Sequence, residues 1–143
     1  MAVSLSSIQS TAAPASTLLV RLMVGLVFLS EGIQKFLFPS EIGGGRFAKI
    51  GLPSPETLAA VVGVTEIVCG TFVVLGLFTR LAAIPLILIM LVAISSTKFP
   101  ILHDSGFWKM AHESRTDFSM LLGSLFLLIN GAGKWSVDAR SSK

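Results

Sequence analysis

Charged residues are scarce in this chain of 143 residues. Lys, Arg, Asp and Glu make up 13% of it, about half the share in a typical soluble domain, whereas 52% of the residues are hydrophobic. The net charge of +3 comes from Lys and Arg that are spread along the chain and form no basic patch. The composition therefore argues against a soluble protein and against nucleic-acid binding.

Residues that bind metals or carry redox chemistry are also few. Cys69 is the only cysteine, so the chain can form neither an internal disulfide nor a CxxC pair, and we interpret it as a packing residue. His103 and His112 lie nine residues apart in a polar segment and match no metal-binding spacing. The sequence thus predicts no metal site and no redox centre of its own.

Apolar residues are abundant, and they form four long blocks. Each block is close to the roughly 20 residues that cross about 30 Å of hydrocarbon as a helix. The predicted fold class is an all-α membrane protein, a four-transmembrane-helix bundle. The predicted helices cover residues 17–38, 56–78, 81–97 and 114–130. They form a membrane domain over residues 17–138, between a flexible N-terminal tail, 1–16, and a C-terminal tail, 139–143.

Ionisable side chains interrupt these blocks, although each costs roughly 2.5–3.5 kcal/mol to insert. Glu31 and Lys35 lie one turn apart on the first helix, and we expect them to be coupled. Glu66 falls near the bilayer midplane, where it must be protonated, paired with Arg21, or part of a working site. At 1.5 Å per residue, the polar groups of several helices reach similar depths. We predict a polar pocket open toward the long loops, with the candidate residues Glu31, Gln34, Lys35, Glu66 and Asp117.

A purely structural interpretation of the same residues stays open. Glu31 and Lys35 would then neutralise one another, and Arg21 would extend to the membrane surface on the side of the termini. Small residues at helical spacing predict close contacts between helices. The packing candidates are Gly25, Gly32, Gly63, Gly70 and Gly123.

The sequence resembles the DoxX family of small membrane proteins over residues 21–138. The first helix carries one part of the resemblance, and Glu66, residues 75–83 and the end of the chain carry the rest. The patterns are Arg21-x-x-x-Gly25-x-x-Phe28-x-x-x-Gly32-x-x-Lys35 and Gly131-x-Gly133-Lys134-Trp135-Ser136-x-Asp138.

This resemblance implies a four-helix inner-membrane fold and a link to redox metabolism, because some family members are named as subunits of thiosulfate:quinone oxidoreductase or quinol oxidase. We therefore expect a redox-associated subunit that binds a quinone or a similar lipid-soluble molecule, with membrane lipids and other membrane subunits as partners. One alternative is a non-catalytic scaffold or accessory subunit of a larger respiratory or energy-converting membrane complex. Another is a small transporter or proton conduit, although the chain lacks the broken helices of many transporters.

The basic residues also predict the topology. Four spans place both termini on one side, and Lys and Arg are denser in the short segments on that side, so we expect cytoplasmic termini. Cysteines introduced at Ser40 and Ser141 test this directly. An impermeant thiol reagent added to intact cells should label the Ser40→Cys protein and leave the Ser141→Cys protein unlabelled. The opposite pattern would reverse the topology.

Overall fold

The computed structural model describes residues 4–11 and 13–142, and within these ranges every regular element is a helix. The eight helices are α1 Leu5–Gln9, α2 Thr17–Leu37, α3 Gly44–Lys49, α4 Pro55–Leu75, α5 Thr79–Ser105, α6 Phe107–Glu113, α7 Arg115–Asn130 and α8 Val137–Ser141. The predicted all-α class is confirmed.

Three of these helices, α2, α4 and α5, are long and apolar enough to cross a membrane. Helix α7 has 16 residues and a length of about 24 Å, short of the hydrocarbon thickness. The described residues thus contain three helices of full spanning length, where the sequence predicts four. The helix bounds of α2, α4 and α7 agree with the predicted ones to within three residues.

Helix α5 is longer than predicted and ends at Ser105, eight residues after Thr97. The polar run before Pro100 looks like a helix end, but it does not act as one. Ser95, Ser96 and Thr97 each donate a hydroxyl hydrogen bond to the carbonyl four residues earlier, at 2.6–2.7 Å. These hydroxyls have their partners inside the helix, so the run does not interrupt it. With 27 residues, α5 is about 40 Å long and extends beyond the hydrocarbon.

Helices α2 and α4 approach each other through glycines. A Cβ atom added to Gly32 would lie 2.7 Å from the carbonyl oxygen of Gly63, and one added to Gly70 would lie 2.8 Å from the backbone nitrogen of Leu29. Gly25 contacts the backbone of α4 in the same way, 2.9 Å from the Gly70 oxygen. The two backbones are thus in direct contact, as small residues allow in membrane helices.

The hydrophobic core lies where α2, α4, α5 and α7 meet. Helix α7 packs along α5 and also touches α2, where a Cβ at Gly123 would lie 2.6 Å from Val24 Cγ2. The buried core residues are Val24, Phe28, Val73, Ala82, Leu86, Met90, Met120 and Leu127.

Arg21 is buried at the end of the bundle that carries the termini, with 2% of its surface exposed. Its guanidinium donates to the carbonyls of Val73, Val74, Ala132 and Trp135 at 2.5–3.3 Å. The expectation that Arg21 reaches the membrane surface is therefore wrong. At the end of α4, the Val73 carbonyl also accepts from the N–H of Gly76, and the guanidinium provides hydrogen-bond donors to the carbonyls of Val73 and Val74 inside the protein.

Asp138 binds backbone N–H groups at the start of α5, as Arg21 binds carbonyls at the end of α4. Its carboxylate accepts hydrogen bonds from the backbone N–H groups of Phe78 (2.8 Å) and Thr79 (3.0 Å). Phe78 has a left-handed φ of +47°, and the bond to Asp138 helps to hold that conformation. Arg80 in turn donates to the last carbonyls of α7, those of Leu128 and Ile129.

Both predicted tails contain helical residues. In the N-terminal segment, α1 precedes Thr11, which donates to the carbonyl of Asn130 and accepts from the N–H of Gly133, both at 3.0 Å. Helix α8 continues into the C-terminal segment. Residues 1–3, 12 and 143 lie outside the described residues, and the flexibility of both tails stays a prediction.

The contact between α2 and α4 can be tested at Gly70. We expect Gly70→Ala to lower the stability by about 1–3 kcal/mol, because the added methyl group meets the backbone of α2 and the helices must separate. The thermal midpoint in detergent measures this loss. Ala60→Val adds more volume at an exposed position of α4 and should leave the midpoint unchanged. Equal midpoints for Gly70→Ala and the wild type would contradict the close contact.

Candidate functional site

A cavity of about 530 Å³ lies among α2, α4, α5 and α7, and α3 contributes its wall on the loop side. Its wall carries three acidic and three basic side chains among apolar ones. The charged residues are Glu31, Lys35, Arg46, Glu66, Lys98 and Asp117. Four of the five candidate pocket residues therefore line one cavity. The fifth, Gln34, donates instead to the Ser30 hydroxyl at 2.9 Å and is absent from the wall.

Lys35 and Glu66 form a buried ion pair in this wall. The Lys35 Nζ atom lies 2.7 Å from Glu66 Oε2, and the two side chains are 9% and 3% exposed. The pair joins α2 to α4 next to the contact of Gly32 with Gly63, which brings the two backbones close enough for the side chains to meet. Each charge loses its water and gains the other as its partner.

This pairing corrects two expectations from the sequence. Lys35 pairs across the helices with Glu66, whereas the spacing along α2 predicts Glu31 as its partner. Glu31 instead lies exposed in the cavity wall. Arg21, the other partner considered for Glu66, binds carbonyls at the opposite end of α4. The i,i+4 spacing identifies partners within one helix only. It cannot identify a partner on a neighbouring helix, because the sequence does not give the distance between helices.

A second ion pair joins Lys98 on α5 to Asp117 on α7. Lys98 Nζ lies 2.9 Å from Asp117 Oδ2, and the side chains are 11% and 23% exposed. The sequence identifies Asp117 but misses Lys98, which falls in the segment predicted to be a loop. Helical continuation of α5 past Thr97 would have been the signal that Lys98 is in the bundle.

Residues 38–54 between α2 and α4 bring a further charge to the cavity. Helix α3 packs against α4, and the lack of a side chain at Gly44 permits it, because a Cβ there would lie 2.8 Å from Glu56 Cγ. Arg46 and Phe47 of α3 line the cavity together with Ile50. Sequence reasoning assigned Arg46 to the loop and could not relate it to the pocket.

The wall can accommodate both a polar and an apolar group. The wall carries equal numbers of acidic and basic side chains, so a ligand without net charge can bind without breaking either ion pair. The ammonium groups can donate hydrogen bonds and the carboxylates can accept them or exchange protons. The apolar part of the wall includes Val27, Phe28, Leu58, Val62, Leu88, Ile89, Val92, Ala93 and Met120.

The histidines do not contribute to this cavity. His103 contacts Asp104 at 2.9 Å in the exposed last turn of α5, and His112 is exposed on α6. On α6, a hydrogen bond from Lys109 lowers the pKa of Glu113. In the part of the chain that the structure describes, no three His, Cys, Asp or Glu residues are grouped as a metal site would require.

A double-mutant cycle tests the Lys35–Glu66 pair. We expect Lys35→Met and Glu66→Gln each to cost about 3–5 kcal/mol, because each leaves an uncompensated buried group, and the double variant to cost much less than the sum. Thermal and denaturant unfolding in detergent measure these losses. Lys35→Met combined with Glu31→Gln should be close to additive, as should the exposed Lys109–Glu113 pair. Additivity for Lys35 and Glu66 would show that they are not coupled.

Known proteins resemble this chain over most of its length. The DoxX family model matches residues 16–99. A membrane protein of Mycobacterium tuberculosis, itself described as uncharacterized, is 55% identical over 136 residues, which cover 91% of this chain and 83% of that protein. An uncharacterized protein of Haemophilus influenzae is 33% identical over 129 residues, with 87% and 89% coverage.

A third relative carries a functional name. The Bacillus subtilis protein named "Putative oxidoreductase CatD" is 31% identical over 124 residues, which cover 85% of this chain and 84% of that protein. No solved structure gives a significant match. The matched region includes α2 and α4, with the Lys35–Glu66 pair and the glycine contacts. The chain belongs to the DoxX family of membrane proteins.

Proposed function

We propose that the cavity binds the polar head of a quinone or a similar lipid-soluble molecule, and that the protein is a redox-associated subunit of a membrane oxidoreductase. The observation that carries this proposal is the buried Lys35–Glu66 pair in the wall of a largely apolar cavity. A head group with carbonyl or hydroxyl oxygens can hydrogen-bond there, while its apolar part contacts the aliphatic wall.

Size, polarity and relatives support this assignment. The volume of about 530 Å³ lies within the range of 300–1,000 Å³ typical of small-molecule sites. Such sites combine an apolar wall with a few polar groups, as this one does. The name of the Bacillus subtilis relative indicates oxidoreduction for that protein. Carried over to this chain, the name favours a ligand with redox chemistry.

The polar residues of the cavity wall would have different roles in binding the head group. Lys35 donates a hydrogen bond to a carbonyl oxygen of the head group and orients it. Glu31 and Asp117 exchange protons with it. Quinone reduction takes up two electrons and two protons, and a lone cysteine, Cys69, cannot supply an electron pair by forming a disulfide within this chain. The electrons therefore come from a partner subunit with a redox centre.

The proposal includes a position in the membrane. Helix α7 would be the fourth span: it packs along the spanning helix α5, and a short helix is accommodated when the bilayer thins locally. Both termini then lie on one side, which the basic residues indicate to be the cytoplasmic side of an inner membrane. The cavity faces the opposite side.

A scaffold subunit is the second candidate, and one observation favours it. Both ion pairs of the cavity are complete within the chain, at 2.7 and 2.9 Å, so the charges could serve only to fasten helices together. Many apolar side chains on the outer faces of α4 and α5 are exposed and available for helices of other subunits. In this case the protein would contain no quinone and would depend on its complex for stability.

Binding of a benzoquinone with a decyl chain distinguishes the two candidates. We expect the protein in lipid nanodiscs to bind this probe, and Lys35→Met to weaken binding about 10- to 100-fold, the effect of losing one charge-assisted hydrogen bond. Glu41→Gln, at an exposed position between α2 and α3, should not change the affinity.

A lipid extract of the purified protein free of quinone, together with no binding of the decyl probe, would refute the proposal. If Lys35→Met then lowered only the recovery of co-purifying subunits, the scaffold role would be favoured.

A further inference from the structure

We propose that the ligand reaches the cavity sideways from the bilayer, through a cleft between α4 and α5, and that its hydrocarbon tail stays in this cleft while bound. This inference rests on the proposed function and narrows its ligand class. The ligand would be an amphipathic molecule dissolved in the membrane, with a compact polar head and an apolar tail.

The cleft is defined by apolar residues that line the cavity on one side and the lipid on the other. Leu88 and Val92, one turn apart on α5, belong to the cavity wall and yet are 58% and 51% exposed. Leu58 and Val62, one turn apart on α4, line the same cavity and are partly exposed. A residue that lines the cavity and is also exposed on the outside of the protein lies at the rim of the cavity. We therefore infer that the cavity opens at these four residues.

The depth of this opening in the membrane determines whether it faces lipid or water. Leu88 is nine residues into α5, about 14 Å from the start of a helix that crosses about 30 Å of hydrocarbon. Val92 lies about 20 Å from the same point, so this edge of the cavity extends from the middle of the bilayer toward the loop side and stays within the hydrocarbon. Molecules that enter there come from the lipid and not from water.

On the loop side, the exposed residues of the wall are polar, and apolar residues beside them are partly exposed, namely Ile42, Phe47, Ile50 and Leu52. Glu31, Arg46 and Thr116 line the cavity and are exposed, and all three lie toward the loop side of the bundle. The cavity thus has a polar edge toward the loops and an apolar edge toward the lipid. The buried Lys35–Glu66 pair lies in the same wall, so the cavity offers polar contacts for the head of an amphipathic ligand and an apolar edge for its tail.

The tail gains little contact energy in the cleft, because lipid chains are as apolar as leucine side chains. Its role is to hold the ligand in the membrane, at the depth of the opening. Recognition then depends on the head group, and the cleft decides which molecules can reach it.

Two quinone probes test the entry route. One is the decyl benzoquinone, and the other is the same head group without a chain. Val92→Trp fills the cleft and should weaken binding of the decyl probe about tenfold or more, while the chainless probe, which can enter at the polar edge, binds as before. Leu91→Trp is the matched control, since Leu91 is 47% exposed against 51% for Val92 but lies outside the cavity wall, and it should affect neither probe.

Equal loss for both probes in Val92→Trp, or equal loss of the decyl probe in Leu91→Trp, would overturn the proposed cleft. Failure of the wild-type protein to bind either probe would overturn the proposed function instead.

A ligand-independent measurement then decides whether the cleft exists. A nitroxide on Ala93→Cys, in a Cys69→Ala background, probes the cavity wall beside the cleft. Molecular oxygen, which concentrates in hydrocarbon, should relax this label more strongly than a water-soluble nickel chelate does, and Val92→Trp should reduce the oxygen effect while Leu91→Trp does not. An oxygen effect that is weak in the wild type, or unchanged in Val92→Trp, would show that the cavity is closed to the lipid.

Discussion

Lys35 and Glu66 remain inside the bundle only because each supplies the other with the partner that water would otherwise provide. A charge alone at this depth would destabilise the fold by several kcal/mol. The pair in turn requires α2 and α4 to lie in backbone contact, which the glycines at positions 32 and 63 permit. The position of the cavity follows from this arrangement, because α5 and α7 close the remaining sides around the same two side chains.

The same constraint shapes the opposite end of the bundle, where the unsatisfied groups belong to the backbone. Arg21 completes the carbonyls at the end of α4, Arg80 completes those of α7, and Asp138 completes the N–H groups at the start of α5. These residues lie in the patterns on which the family resemblance rests. Those patterns therefore describe two things, an ion pair in the cavity wall and the hydrogen bonds that complete helix ends.

Much of the fold could be predicted from the sequence, because lipid imposes a length and a polarity on each span that composition alone reveals. The pocket residues could be grouped by depth, since the rise along a helix is constant, and Glu31, Lys35, Glu66 and Asp117 do line one cavity. Their partners could not be predicted, because pairing across helices depends on how the helices rotate and how closely they approach. Lys98 could not be placed in the cavity for a different reason. In the sequence, the run that includes Ser96 and Thr97 is typical of a loop, but in the structure these hydroxyls bond within their own helix.

The cap that Asp138 places on α5 also concerns the order in which the chain is made. The N–H groups of Phe78 and Thr79 leave the ribosome long before the carboxylate that satisfies them, 60 and 59 positions further along. The turn between α4 and α5 is therefore synthesised early, but its hydrogen bonds are completed only after Asp138 has been synthesised. Until the last segment is in place, these two N–H groups lack the carboxylate that accepts from them in the folded chain, so the α4–α5 turn reaches its final hydrogen bonding only when the C-terminal segment docks.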